Sequence, residues 1–157
     1  MPDNRRAIYT AHAHVTGGRT AGHGRTSDGA LEVELRAPKP GGAAEGTNPE
    51  QLFAIGYAAC FESALQVAAR RRRIEVSDVA IDSSVMLLHG ENRAYTLAVT
   101  LDVTLRSVDD ADAAVELVRA AHEVCPYSNA TRGNIDVVLT ANAHAVEPIE
   151  SVPAGMR

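Results

Sequence analysis

Two cysteines in a chain of 157 residues set the first question. Cys60 lies in "AIGYAACFESAL", an unusually oily stretch, and Cys125 in "HEVCPYSNATRGN". A cysteine does redox chemistry as the thiolate, not the thiol. Free cysteine is also among the most often buried residue types and packs as a small hydrophobe. On position alone, Cys60 reads as packing. Cys125 differs, because it stands directly before Pro126 where a helix is predicted to end. Ala121 and Val118 lie four and seven residues before it, so it falls on the stripe that faces a core. Two inward-facing thiols, one from each helix, are compatible with disulfide reach, which sequence cannot show.

A reactive Cys60 needs a cation. It sits about three turns inside its helix, too far from the positive end for the dipole to help. Burial by itself raises a thiol pKa. The helix offers no cation from Cys60 until Arg70. The best supplier is the glycine-rich turn "TGGRTAGHGR", with Arg19 as the first candidate and Arg25 as its rival. A desolvated arginine needs its own anion, and Glu50 at the helix start is the candidate. Glu50 and Cys60 are ten residues apart on one helix, or about 15 Å along its axis. If they act together, Glu50 is expected from a partner subunit whose apolar helix packs antiparallel.

Other motifs carry less. His12 and His14 share a strand face, but two histidines do not complete a zinc sphere, so solvated side chains are the expectation. "HEVCP" lacks the second histidine of a zincin motif, and "GGRTAGHG" lacks the Lys-Ser/Thr ending of a phosphate loop. The run "RRRR" at 70–73 closes a helix, where cations complement the negative pole. Tyr127 and Asn129 beside Cys125 read as turn residues first and site residues second.

Composition narrows the class. With 45% apolar and 22% charged residues, the chain can bury a core, and its length suits a single domain spanning 1–157. A net charge of -5 argues against a nucleic-acid partner. No uninterrupted apolar run approaches the roughly 18 residues of a membrane span. "MPDNRRAIYT" has no apolar signal core. A soluble, cytoplasmic protein is expected, in which two cysteines are free or redox-active rather than a structural staple.

The elements that must position these residues follow from periodicity. Arg6 to Val15 and "ALEVELRA" alternate and are expected to pair around the glycine-rich connection. Asn48, Pro49 and Gln51 mark a helix start, and the helix should run to about Arg72. It is apolar on nearly every side, as in a helix buried within a domain or between subunits. "VAIDSSVML" and "AYTLAVTLDVTLR" form two strands around "HGEN". In the second, Tyr95, Leu97, Val99, Leu101, Val103 and Leu105 share one face. "SVDDADAAVELVRAAHEVC" is a second helix, with Asp109, Asp110 and Asp112 at its positive end and Pro126 barring continuation. "NIDVVLTANA" closes the chain as a last strand. The order is ββ-α-ββ-α-β, an α+β fold with antiparallel-rich sheets.

Taken together, "TNPEQLFAIGYAACFESAL", "HEVCPYSNATRGNIDV" and the Arg19 turn resemble the organic hydroperoxide resistance proteins (Ohr) of the Ohr/OsmC family, over nearly the whole chain. "CPYSNATRGN" favours the Ohr branch over the OsmC branch. The resemblance implies an intertwined homodimer, with sheets wrapped around two central helices and active sites at the subunit interface. It implies a thiol peroxidase reducing organic hydroperoxides, fatty acid hydroperoxides included, to alcohols without metal, haem or flavin. Cys60 would be the peroxidatic cysteine and Cys125 the resolving one. Arg19 would stabilise the thiolate, Glu50 would hold Arg19, and the reductant would be a dithiol such as dihydrolipoamide on a lipoylated protein. An OsmC-type peroxidase of broader peroxide preference and a non-enzymatic fatty acyl binder are the alternatives.

Overall fold

A computed structural model describes residues 5–42, 45–91 and 94–147. The chain divides after Leu52 into two compact units. The first holds β1 (Ala13–Thr16), α1 (Gly18–Ala21), β2 (Gly22–Thr26) and β3 (Glu32–Arg36). They form a three-stranded antiparallel sheet in the order β1-β2-β3. The expected pairing of the two outer strands is therefore corrected: the glycine-rich stretch inserts a strand between them. Its glycines hide that strand from pattern reading, because a strand signal comes from side chains that glycine lacks. The expected strand from Arg6 also shortens to Ala13–Thr16, since β2 supplies ladder partners only from Ala13 onward.

Gly22 is sterically required. A Cβ there would collide with the carbonyl oxygen of Gly18 and lie 2.7 Å from that of Thr16. Gly24 is different, with its nearest neighbour, a Val15 methyl, at an ordinary 3.4 Å. Gly17, left-handed at φ 71°, opens the short helix α1 that carries Arg19.

The helix α2 (Pro49–Arg72) runs as expected. The Asn48 side chain accepts the Gln51 backbone N–H at 2.9 Å, which satisfies one of the free donors at the helix start. By length and composition α2 would also suit a membrane span, but Glu62, Ser63 and Gln66 interrupt it. One stripe of it, Tyr57, Phe61, Ala64, Leu65, Ala68 and Ala69, is buried.

That stripe joins the core of the second unit. There β4 (Val79–His89) and β5 (Tyr95–Leu105) pair antiparallel along eleven residues. Asn92 of the expected turn lies outside the described residues. Val99, Leu101, Val103 and Leu105 are buried, and Asp102 is exposed, as the alternation required. Tyr95 departs from its face, with 69% of its surface exposed. The helix α3 (Ala111–Val124) is capped by Asp110, whose carboxylate accepts from Ala113 N–H at 2.7 Å. It contributes Leu117, Val118 and Ala121 to the core.

As expected, α3 does not continue through Pro126, and Cys125 before it is extended; the new helix that follows was not expected. Pro126 opens that helix, α4 (Pro126–Thr131), at the one helical position where a missing N–H costs nothing. Then β6 (Asp136–Ala141) pairs parallel to β5, and β7 (His144–Val146) turns back antiparallel on it. The α3–α4 crossover is what permits a parallel neighbour. The result is α+β with two sheets.

Gly22→Ala is expected to destabilise the protein by about 1–3 kcal/mol, the range for overpacking a fixed site. Gly24→Ala, which meets no such obstacle, should cost much less. Urea midpoints of the two variants, compared with the parent, check this.

Candidate active site

The two thiols meet. Cys125 Sγ lies 3.8 Å from Cys60 Sγ, across 65 residues of sequence. Both are free, with Cys125 fully buried and Cys60 half-buried. Cys60 projects from the middle of α2. Cys125 is held by the junction of two helices: its N–H donates to Ala121 O at 2.9 Å, and its own carbonyl accepts from Asn129 N–H at 2.9 Å. It thus closes α3 and opens α4 with one extended residue (φ -63°, ψ 124°). The inward stripe expected of Val118, Ala121 and Cys125 is present, with all three fully buried.

Around this pair stands an aromatic cluster. Phe53 and Tyr57 on α2 contact each other and Tyr127 on α4, with ring centroids 5.5–5.9 Å apart. Tyr127 crosses α2 at Gly56, where an added Cβ would lie 3.0 Å from its hydroxyl. Tyr127 is therefore more than the turn residue expected. Asn129 does serve the backbone turn and accepts from Arg132 Nη1 at 2.8 Å. Phe53, Tyr95, Leu97, Tyr127 and Ile135 line an adjoining, mainly apolar groove of about 530 Å3.

The electrostatics match the demand made by sequence. Burial pushes the Cys60 thiol above its ordinary pKa, and the Cys125 thiol adds to that rise. A hydrogen bond from the Tyr127 backbone pulls the other way. With burial the larger influence, this neighbourhood by itself keeps Cys60 protonated.

In the first unit, Arg19 and Glu50 form an ion pair. Arg19 Nη2 lies 2.6 and 2.8 Å from the two Glu50 carboxylate oxygens. The Glu50 side chain is only 16% exposed, the Arg19 side chain 43%. A single chain thus supplies both partners, which spacing alone left open. Arg25 stands exposed on β2. His12 and His14 are exposed, and no group of three potential metal ligands occurs among the described residues.

Sequence reasoning missed one set of residues. The Tyr57 hydroxyl lies 3.0 Å from Ser128 Oγ and 3.1 Å from Thr131 Oγ1, all three buried. Tyr57 precedes Cys60 by three, and Ser128 and Thr131 follow Cys125 by three and six. That spacing was visible, but only to a reading that started a new helix at Pro126.

Residues 41–140 match the OsmC-like protein family. The organic hydroperoxide resistance protein of Xanthomonas axonopodis pv. citri is 46% identical over 143 residues, spanning 89% of this chain and 99% of that protein. The chain belongs to the Ohr/OsmC family. Within this family, the crystal structure of the organic hydroperoxide resistance protein OhrB of Bacillus subtilis superposes with a TM-score of 0.79 at 46% identity. It covers 85% of this chain and 98% of that one. A putative Ohr-type protein from Vibrio cholerae, crystallised with captopril bound, superposes with a TM-score of 0.83 at 40% identity, covering 91% and 98%.

A second depression, of about 560 Å3, is lined in part by Arg119, His122 and Arg132. Burial and the nearby Arg132 guanidinium lower the His122 pKa to about 4. Its Nδ1 is buried without a partner among the described residues. The unfolded chain therefore binds the His122 proton more readily than the folded one. Folding stability from this group is full above pH ~6.5 and is lost as pH falls from there toward 4. His122→Gln should flatten that part of the stability curve. Urea midpoints for both proteins at pH 7 and pH 4.5 check it: the parent should lose more stability than the variant.

Proposed function

We propose that the protein is a soluble, cytoplasmic thiol peroxidase that reduces organic hydroperoxides to alcohols. The observation that carries this reading is the pair of free thiols at 3.8 Å, in a chain whose relatives bear the name organic hydroperoxide resistance protein. In the proposed cycle, the Cys60 thiolate attacks the outer peroxide oxygen. The O–O bond breaks, the alkoxide leaves and takes up a proton, and Cys60 becomes a sulfenic acid. The Cys125 sulfur then attacks the sulfenic sulfur. Its proton leaves with the displaced hydroxide as water, and an internal disulfide remains. A dithiol reductant reopens it by exchange, itself ending as a disulfide. Dihydrolipoamide on a lipoylated protein is the reductant proposed; no bound cofactor enters the cycle.

Three features support the assignment of roles. Half-buried Cys60, its thiol pKa raised by desolvation, needs a cation to ionise, and Arg19 is an arginine already fixed by a carboxylate, Glu50. The apolar groove that shares Phe53 and Tyr127 with the aromatic cluster suits an alkyl chain, because burial of methylene groups stabilises an alkyl hydroperoxide by about 0.8 kcal/mol per CH2 and gives hydrogen peroxide nothing. Large apolar side chains stand exposed on the monomer, Ile8 at 100%, Tyr9 at 78% and Ile55 at 69%, as fits a homodimer. In that dimer the Arg19–Glu50 pair of one chain serves Cys60 of the other, since helix geometry sets Glu50 about 15 Å from Cys60 in its own chain.

One equivalent of an alkyl hydroperoxide should lower the mass of the non-reduced chain by two hydrogens. An unchanged mass would remove the enzyme reading and leave a fatty acyl binder, which needs no second thiol. Cys60→Ser should abolish turnover, and Cys125→Ser should complete one turnover and stop. Arg19→Ala should slow the first turnover by about 10- to 100-fold, the effect of losing a charge-assisted interaction of about 1.5–3 kcal/mol. Mixed dimers refolded from inactive Cys60→Ser and slowed Arg19→Ala chains should recover activity above that of either variant alone. No recovery would place the pair and the thiol in the same chain.

A further inference from the structure

Cys125 depends on α4, and α4 has six residues. A helix of that length is not stable on its own, so its position must come from what it is tied to. Arg132 ties its end to α3, donating from Nη2 to His122 O at 2.6 Å. The tie to α2, which carries Cys60, runs through the Tyr57 hydroxyl, beside the thiols themselves and the Tyr127 ring.

The protons of this cluster can be assigned, because each hydroxyl has one. Thr131 donates to a backbone carbonyl within α4, that of Tyr127 at 2.9 Å or of Ser128 at 3.3 Å. It can therefore only accept from Tyr57. That uses the Tyr57 proton, so Ser128 donates to Tyr57. The result is a one-way chain, Ser128 to Tyr57 to Thr131 to the α4 backbone, with its three hydroxyls buried. Tyr57 is its only member on α2.

We propose that Tyr57 is a positioning residue for the resolving step, clamping α4 to α2 so that the Cys125 sulfur stays within attack distance of Cys60. The two sulfurs, now 3.8 Å apart, must close to about 2.0 Å to bond. That leaves a closure reachable by side-chain rotation and small helix adjustment only if α4 stays in place. The clamp acts on the second thiol and not on the peroxide, so it governs disulfide formation and leaves the first attack alone. The kinetic part of this proposal rests on the peroxidase reading; the equilibrium part does not.

Tyr57→Phe keeps the ring and removes the hydroxyl. In rapid mixing with tert-butyl hydroperoxide, the variant should oxidise Cys60 at the parent rate. Disulfide formation should then slow about tenfold, the effect of losing one buried hydrogen bond. The delayed sulfenic acid should be captured by dimedone as a Cys60 adduct absent from the parent. Against mixtures of reduced and oxidised dithiothreitol, the Cys60–Cys125 equilibrium should shift about tenfold toward the dithiol. Ser128→Ala should move both readouts the same way and serves if Tyr57→Phe does not fold. Disulfide formation and equilibrium equal to the parent's in a folded variant would overturn the clamp. So would an equal slowing of both steps, which marks a general disturbance. A parent chain that consumes no hydroperoxide removes the peroxidase reading alone, and the dithiothreitol equilibrium still tests the clamp.

Discussion

The close approach of two sulfurs from distant parts of the chain is the constraint on which the second unit rests. Cys60 and Cys125 approach to 3.8 Å because the long helix α2 and the α3–α4 junction pack together at that point. The buried stripe of α2 provides the rigid side. Tyr57, Phe61 and Leu65 join the core of β5 and α3, which makes Cys60 a fixed reference. Cys125 is the adjustable side, placed at the residue where α3 stops and α4 begins. Each of its backbone groups serves a different helix, so the thiol inherits the geometry of both.

Packing this dry has an electrostatic consequence. The burial that brings the sulfurs together also raises the Cys60 pKa and opposes the ionised form that chemistry needs. The proposed peroxidase cycle therefore asks for a cation from elsewhere, and a buried arginine without an anion would carry a penalty of its own. Arg19, the arginine proposed for that role, is already paired with Glu50. The pair is made within one small sheet unit, where Gly22 lets the backbone close tightly enough to form the turn of α1. Apolar packing and charge placement are thus assigned to different parts of the chain.

Much of this was legible in residue patterns. Asn48 and Pro49 announced α2 because capping is a local interaction between neighbours. The face of β5 from Val99 to Leu105 was visible because alternation reports directly on a one-sided sheet. Strand β2 was not, because Gly22 and Gly24 carry no side chains from which a face can be read. Pro126 was read correctly as the end of α3, but the helix α4 that it opens was missed for a related reason. Proline both stops and starts helices, and the choice rests on whether tertiary contacts reward a new turn after it. The hydroxyls of Ser128 and Thr131 found their partner, Tyr57, 71 and 74 residues earlier, a pairing no local pattern encodes.

The sequence by itself determined the chemistry available: two thiols, an arginine on a glycine-rich turn, a carboxylate at a helix start, and a helix too apolar to face water on all sides. Those are properties of residue type and short-range spacing, and they persist in any fold. Only the tertiary structure decided which of these groups meet. The distance between Cys60 and Cys125, the Arg19–Glu50 contact within one chain and the Tyr57 clamp all depend on how helices separated in sequence pack. Packing is set by the mutual fit of many side chains at once, and no single stretch of sequence contains that information.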